Sequence, residues 1–95
     1  MIILNVIYTC KPGKREDFLN AIKAEGLDEK CRAEEGNIRY SYFFAAENPD
    51  ELFLLENWKD AEALALHGDM AHFKRIGELK SEFVDNTKID KYITE

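Results

Sequence analysis

The sequence predicts a small α+β domain in which one strand, a helix, two strands, a second helix and a last strand follow one another. Three observations carry this prediction. Four stretches are rich in β-branched and aromatic residues, two longer stretches repeat apolar residues at helical spacing, and Gly, Pro, Asn and Asp signals separate them. At 95 residues, the chain has room for one domain, residues 1–95.

The first strand and the first helix occupy the N-terminal third of the chain. Residues 2–10 are mostly β-branched or aromatic, and they end at the turn signal Lys11-Pro12-Gly13. From Lys14 onward, apolar residues recur at the spacing of one helix face: Phe18, Ile22, Leu27 and Cys31. Gly26 is expected to bend or loosen this helix, and Gly36 is typical of a helix end.

A β-hairpin follows. Residues 38–44 and 52–58 are predicted strands, and Pro49 favours a turn between them. Strand alternation places the following side chains of the first strand on one face: Ile38, Tyr40, Tyr42 and Phe44.

The C-terminal third is predicted to form a split helix and a last strand. Asp60 is a natural N-cap for a helix over residues 61–66. Gly68-Asp69 interrupts that helix, and Asp69 is expected to cap a second helical segment that extends to about Val84. After a break at Asp85-Asn86, residues 88–93 form the last strand. The complete order is that of a ferredoxin-like βαββαβ fold, with an antiparallel sheet and helices on one of its faces.

The hairpin is apolar on both faces. One face carries Phe43, Ala45, Phe53 and Leu55, and the other carries Tyr40, Tyr42, Phe44, Leu52, Leu54 and Trp58. Helices cover one face of such a sheet, and the second face is usually polar. A bare apolar patch of this size promotes aggregation, and a second copy of the sheet is the simplest cover. We therefore expect a homodimer.

The charge balance disfavours two classes of partner. Thirteen Lys and Arg against nineteen Asp and Glu give a net charge of −6, and no basic cluster offsets it, so neither nucleic acid nor an anionic membrane surface is an expected partner. No apolar run approaches the roughly 20 residues of a membrane span, and no signal-peptide pattern opens the chain, so a cytoplasmic location is expected. Cys10 and Cys31 lack a C-x-x-C spacing and are expected to be reduced, buried thiols.

His67 is the first candidate for chemistry. It ends a short apolar helix directly before Gly68, and an imidazole can exchange a proton near neutral pH; the alternative is a surface or capping role at the helix C-terminus. His72 follows five positions later, a spacing that turns two side chains about 140° apart on an uninterrupted helix. With no third His or Cys nearby in the sequence, no metal site is expected.

Several short motifs occur in order along almost the whole chain. They are Lys11-Pro12-Gly13-Lys14 with Phe18, Arg32-Ala33-Glu34-Glu35-Gly36-Asn37 with Tyr40, Asn48-Pro49-Asp50, Leu55-Glu56-Asn57-Trp58, Glu62-Ala63-Leu64 with His67, and Ala71-His72-Phe73. In this order and spacing they resemble the antibiotic biosynthesis monooxygenase (ABM) domain family of dimeric α+β barrels.

The resemblance implies a homodimer with a pocket between the sheet and the helices of each subunit. It implies an enzyme, a monooxygenase that oxidises a small quinol- or anthrone-like aromatic substrate with dioxygen and uses no cofactor. By position, it implies catalytic roles for His67, Asn57 and Tyr40, and substrate contacts for Trp58, Phe73, His72 and Arg39. From the residues alone, core packing is the alternative for Trp58, and a solvent-facing position is the alternative for Arg39.

Two other functions stay open. The Glu34–Asn37 stretch also resembles small isomerase-type enzymes that act on phosphorylated autoinducer-like metabolites, for which Arg39, His67 and His72 are the nearby candidates to hold phosphate. The second open function is that of a non-catalytic dimer that binds a small molecule, because a fold does not determine the chemistry of a protein. Haem degradation is not expected, because Gly77 occupies the position of the iron-ligating histidine of haem-degrading relatives.

Overall fold

A computed structural model describes residues 1–94 as four strands and four helices, and Glu95 of the predicted domain lies outside the described residues. The elements are β1 (Ile2–Cys10), α1 (Arg15–Ala24), α2 (Leu27–Arg32), β2 (Asn37–Phe44), β3 (Glu51–Trp58), α3 (Ala61–Gly68), α4 (Ala71–Phe83) and β4 (Val84–Ile93). Within residues 1–94, no helix has the length and apolar character needed to cross a membrane.

The strands form one antiparallel sheet in the order β2-β3-β1-β4. The helices cover one face of this sheet, which confirms the predicted ferredoxin-like α+β fold. Along β1, buried residues alternate with partly exposed ones, as expected for a strand with one covered face. The predicted stripe of the first helix, from Phe18 to Cys31, is buried against that face, and the Phe18 ring packs edge-on at 5.3 Å from the Tyr8 ring.

Three local predictions need correction. Gly26 adopts a left-handed conformation with φ of 65°, so the predicted single helix is two helices, α1 and α2. Asp69 is not the N-cap of α4, because that helix begins one residue later, after Met70. The β2–β3 register shifts between Asn37 and Arg39, and Ile38 is exposed instead of sharing the inner face with Tyr40.

The last strand is longer than predicted. β4 begins at Val84, directly after α4 ends at Phe83, so Asp85 and Asn86 lie within the strand. The register shift between β1 and β4 at Thr9 and Cys10 accommodates this abrupt change from helix to strand.

The sheet face that the helices leave uncovered, here called the outer face, carries the side chains that alternate with the buried ones. Strands β1, β2 and β3 contribute Ile3, Asn5, Ile7, Arg39, Ser41, Phe43, Phe53, Leu55 and Asn57, and β4 contributes Lys88, Asp90 and Tyr92. Most of these side chains are partly exposed, and large apolar groups are interspersed with polar ones.

Candidate active site

A cavity of about 270 Å³ lies between the inner face of the sheet and helices α3 and α4. Its wall is mainly apolar and includes Leu4, Val6, Leu64, Phe73, Ile76 and Ile89. Polar groups reach it from Tyr8, Tyr40, Glu56, His67, Lys80 and Thr87. A mostly apolar cavity with a few convergent polar groups is typical of a small-molecule site, and this volume suits a compact substrate.

His67 is the imidazole in this wall. It lies in the last turn of α3 and is only 3% exposed. Aromatic rings surround it, because its ring centroid lies 4.5 Å from that of Trp58, 5.0 Å from Phe73 and 6.1 Å from Tyr40. The surrounding rings fix its orientation.

One carboxylate oxygen is hydrogen-bonded to both histidines. Glu34 Oε2 lies 2.6 Å from His67 Nδ1 and 2.8 Å from His72 Nε2. Because an ionised carboxylate only accepts hydrogen bonds, His67 Nδ1–H and His72 Nε2–H each donate a hydrogen bond to it. When the His67 ring is neutral and Nδ1 carries the hydrogen, the free lone pair is on Nε2. The Nε2 atom lies 3.9 Å from Oε1 of Glu56 in the cavity wall.

A tight turn between α3 and α4 makes this arrangement possible. The Asp69 amide donates to the Leu66 carbonyl at 3.1 Å, and the Met70 amide donates to the His67 carbonyl at 3.1 Å. The chain reverses there, so His72 returns to the same carboxylate as His67. The prediction that the two histidines diverge is therefore wrong, since it assumed an uninterrupted helix.

Glu56 brings a second carboxyl group into the wall. It is buried on β3 between two inward-facing residues, and its Oε1 accepts a hydrogen bond from Trp58 Nε1 at 3.0 Å. Burial raises the pKa of Glu56 above its ordinary value, although the Trp58 bond and nearby His67 oppose the shift.

The tyrosine hydroxyls and one ammonium complete the polar lining. Burial raises the pKa of Tyr8 and Tyr40 well above the ordinary value, so both stay neutral hydroxyl groups. The Tyr40 hydroxyl lies 3.4 Å from that of Tyr42. Burial lowers the pKa of Lys80, whose Nζ lies 5.4 Å from the centre of the Tyr8 ring.

The structure separates the predicted site residues into three groups. His67, Tyr40 and Phe73 line the cavity, whereas Trp58 and His72 support His67 from behind the wall. Asn57 and Arg39 pair across β2 and β3 on the outer face, where Arg39 Nε lies 3.4 Å from the Ser41 hydroxyl. The structure does not bring these two residues to the cavity, because Glu56 and Trp58, the strand neighbours of Asn57, face the helices. Their predicted roles stay predictions.

Four polar lining groups were not among the predicted site residues: Tyr8, Glu56, Lys80 and Thr87. Glu34, which contacts both histidines, was not predicted either. A signal existed for Glu56, since it alternates with Leu54 and Trp58 on an apolar strand face, where an unpaired carboxylate is costly. Lys80 follows Ile76 by one helical turn and so falls on the covered stripe of α4. Glu34 gave no local signal.

Potential metal donors also converge beside His67. The ligand atoms of Cys31, Glu34, His67 and His72 all lie within 4.8 Å of one another. Burial raises the pKa of the Cys31 thiol to about 12.

The fold and the cavity together define a class: ferredoxin-like domains with a mainly apolar cavity between sheet and helices. The comparisons specify the family. The chain belongs to the Antibiotic biosynthesis monooxygenase family, which it matches over residues 1–79. This confirms the family resemblance of the sequence motifs.

Individual relatives agree with this assignment. Putative monooxygenase YcnE of Bacillus subtilis (strain 168) is 40% identical over 74 residues, which are 78% of this chain and 76% of that protein. A conserved protein from Methanosarcina mazei Go1 is 38% identical, with a TM-score of 0.88 over 99% of this chain and 92% of the other. The structure of a putative antibiotic biosynthesis monooxygenase from Nitrosomonas europaea has a TM-score of 0.88 at 24% identity over 99% of this chain and 98% of the other, and it supports the fold alone.

Proposed function

We propose that the protein is a monooxygenase that oxidises a small aromatic substrate, a quinol or an anthrone, with dioxygen, drawing the electrons from the substrate itself. The observation that carries this proposal is the Glu34-bound imidazole of His67 in the wall of an apolar cavity. Family membership and the monooxygenase name of the Bacillus relative support the reaction class.

The first step is proton removal from the substrate. His67 Nε2 accepts a proton from an acidic C–H or O–H group, and the substrate becomes a carbanion or phenolate. The imidazolium that forms is stabilised by the Glu34 carboxylate, 2.6 Å from Nδ1. The negative charge on the substrate oxygen is stabilised by the Tyr40 hydroxyl and the Lys80 ammonium, both of which line the cavity.

The second step consumes dioxygen. The electron-rich anion transfers electrons to dioxygen, a carbon–oxygen bond forms, and the resulting peroxide takes the proton back from His67. For an anthrone, loss of water then leaves a carbonyl at the former CH₂ carbon: one oxygen atom enters the product and the other leaves as water. The apolar wall excludes solvent that would protonate the anion before dioxygen reacts.

The assembly that goes with this function is a homodimer through the outer face. That face carries apolar side chains from three strands, and helices cover the opposite one. A second sheet laid on this face covers these apolar groups.

The cavity gives less support to the isomerase alternative. Arg39, one of the three groups expected to hold phosphate, lies on the outer face. Among the described lining residues, Lys80 is the single Lys or Arg. A phosphate group usually requires several cationic or amide donors, so the cavity suits a phenolate better than a phosphate ester.

Oxygen uptake tests the proposal. Purified protein treated with a chelator is incubated with a panel of quinols and anthrones, and uptake is followed with an oxygen electrode. We expect turnover by the native protein and a loss of about 100-fold or more in kcat/KM for His67→Ala, the usual contribution of a positioned proton acceptor. The control is Leu66→Ala, an exposed position on the same helix, which should leave kcat/KM unchanged.

Other outcomes contradict the proposal. Equal activity of His67→Ala and the native protein removes the assigned proton acceptor. Turnover of a phosphorylated metabolite without oxygen uptake favours the isomerase. Saturable binding of an aromatic ligand with no turnover across the panel favours the non-catalytic dimer.

A further inference from the structure

We propose that Cys31, Glu34, His67 and His72 form a binding site for a divalent metal ion of the Zn²⁺ class, behind the wall of the cavity. Three separate parts of the chain bring the four donors together: α2 and the loop that follows it, the last turn of α3, and the first turn of α4. The sequence did not predict this site, because the donors are spread over 42 positions and the two histidines converge only through the turn between α3 and α4.

The donor separations are close to those of a tetrahedral site. Zinc bonds of about 2.0–2.3 Å to N, O and S place neighbouring donors about 3.3–3.8 Å apart. Here every pair of donor atoms lies within 4.8 Å. The hydrogen bonds from His67 and His72 to Glu34, at 2.6 and 2.8 Å, lengthen by about 0.5–0.7 Å when an ion takes the centre. Side-chain rotations are sufficient for such a change.

The charges of the donors match a divalent cation. A Cys31 thiolate and a Glu34 carboxylate contribute two negative charges, and the two imidazoles bind metal in their neutral form. Cys31 is fully buried, and the Glu34 and His72 side chains are 8% and 13% exposed. A neutral centre is therefore the stable form, since an uncompensated charge is costly in a buried position. Binding at neutral pH displaces the thiol proton to solvent, so about one proton is released per ion.

Groups around the donors also fit a metal centre. A metal-bound histidine usually donates its second ring N–H to a carboxylate, which fixes the ring. When an ion binds His67 Nδ1, the ring hydrogen is on Nε2, which faces Glu56 Oε1. These two atoms lie 3.9 Å apart in the structure without an ion. Trp58 Nε1 donates a hydrogen bond to the same Glu56 carboxylate at 3.0 Å.

Metal binding has a consequence that rests on the proposed function. An ion on Nδ1 forces the remaining ring proton onto Nε2, so His67 can no longer accept a proton from a substrate. We therefore expect the metal-free protein to be the active form and saturating Zn²⁺ to abolish oxygen uptake. Zinc binding itself does not depend on that activity and is measured separately.

The direct test titrates the complete, chelator-treated chain with Zn²⁺ by calorimetry and with Co²⁺ by absorption spectroscopy. We expect one ion per chain with a dissociation constant in the micromolar range or tighter, and about one proton released in buffers of different ionisation enthalpy. The cobalt form should show the intense visible bands of tetrahedral coordination and a near-ultraviolet thiolate charge-transfer band.

Matched variants locate the ion. Cys31→Ser should lose the charge-transfer band, whereas Cys10→Ser, which alters the other buried thiol, should bind as the native protein does. Glu56→Gln, which changes a residue beside a ligand and not a ligand itself, should weaken zinc binding by roughly 10–100-fold. His72→Gln removes a ligand, at the least buried of the four donors, and should weaken zinc binding by more than that. Far-ultraviolet circular dichroism confirms that each variant is folded, and Cys31→Ala replaces Cys31→Ser if the latter does not fold.

The proposal is overturned if the native chain binds neither ion at 100-fold molar excess, or if the cobalt spectrum is octahedral without a thiolate band. Native-like affinity in both Cys31→Ser and His72→Gln also overturns it. Zinc binding without any oxygen uptake supports the site and counts only against the proposed monooxygenase.

Discussion

At the scale of single residues, Glu34 determines what His67 can do. Its Oε2 atom accepts hydrogen bonds from both imidazoles, and the bond to His67 Nδ1 selects the tautomer that leaves Nε2 free to accept a proton. In the proposed reaction, the carboxylate also stabilises the imidazolium that proton transfer produces. Both effects depend on the negative charge of Glu34 and not on the shape of its side chain.

The substitution Glu34→Gln separates charge from shape. We expect kcat/KM for oxygen uptake to fall about 100-fold, because a neutral amide neither fixes the tautomer of His67 nor stabilises its cation. The matched control is Glu35→Gln, which removes the same charge from the exposed neighbouring residue. Equal kcat/KM values for the two variants contradict the role given to Glu34.

At the scale of elements, the loop from α2 to β2 must approach α3 very closely to bring Glu34 to His67. Gly36 lies in this loop, and a Cβ atom added there would overlap Ala63 Cβ of α3. The Lys59 amide donates to the Gly36 carbonyl at 2.9 Å and holds the loop from the other side. The close approach therefore requires glycine for lack of space, although its backbone is not left-handed.

We expect Gly36→Ala to lower the free energy of unfolding by about 1–3 kcal/mol, the usual cost of forcing extra volume into a packed contact. It should also reduce oxygen uptake, because the loop that carries Glu34 is displaced. Gly77→Ala is the control: the added Cβ meets no atom within 4 Å, and alanine favours a helix interior, so stability should rise by about 0.5–1 kcal/mol. Urea unfolding measures both, and an unchanged stability in Gly36→Ala contradicts the steric argument.

The same part of the chain contains a buried ion pair that ties α2 to β2. Asp28 is 2% exposed, and its Oδ2 accepts hydrogen bonds from Lys23 Nζ at 2.9 Å and Arg32 Nη1 at 3.0 Å. Arg32 Nε donates in turn to the Tyr40 carbonyl at 2.8 Å. Desolvation raises the pKa of Asp28, but the bonds from Lys23 and Arg32 outweigh it, so the pKa is lowered from 3.8.

The lowered pKa predicts how stability depends on pH. A carboxyl group whose pKa is lower in the folded state stabilises the fold above its unfolded pKa of about 3.9, and this contribution is lost as the pH falls through the folded value. Asp28→Asn should therefore be less stable than the native protein by about 1–3 kcal/mol at pH 7, and the difference should shrink below about pH 3. Urea unfolding at both pH values measures it, with the exposed Glu29→Gln as control. A difference that is independent of pH contradicts the assignment.

At the scale of the whole molecule, local patterns predicted the elements, but the site depends on contacts between distant residues. The apolar stripe from Phe18 to Cys31 and the β-branched, aromatic run of residues 2–10 are local signals; the structure buries the first and forms strand β1 from the second. Glu34 and His67 are 33 positions apart and meet only after the loop packs on α3. The position of Asn57 was predictable in principle, because adjacent residues of a strand cannot both face the cavity.

The outer face predicts the assembly of the whole molecule. Leu55 lies near its centre, paired with Asn5 and Ser41 on the two neighbouring strands. In a twofold dimer, the substitution Leu55→Lys occurs in both copies. Each copy loses about 2 kcal/mol of hydrophobic stabilisation at the interface. The dimer is therefore weakened by about 4 kcal/mol, which raises the dissociation constant about 1,000-fold. Leu66→Lys, on the exposed side of α3, is the matched control.

Analytical ultracentrifugation at micromolar concentration tests this prediction. We expect twice the chain mass of 11.0 kDa for the native protein and for Leu66→Lys, and the single chain mass for Leu55→Lys. Since the cavity lies on the other side of the sheet, the dissociated variant should still bind an aromatic ligand, although more weakly if the partner stiffens the sheet. A native protein that sediments as a single chain contradicts the dimer.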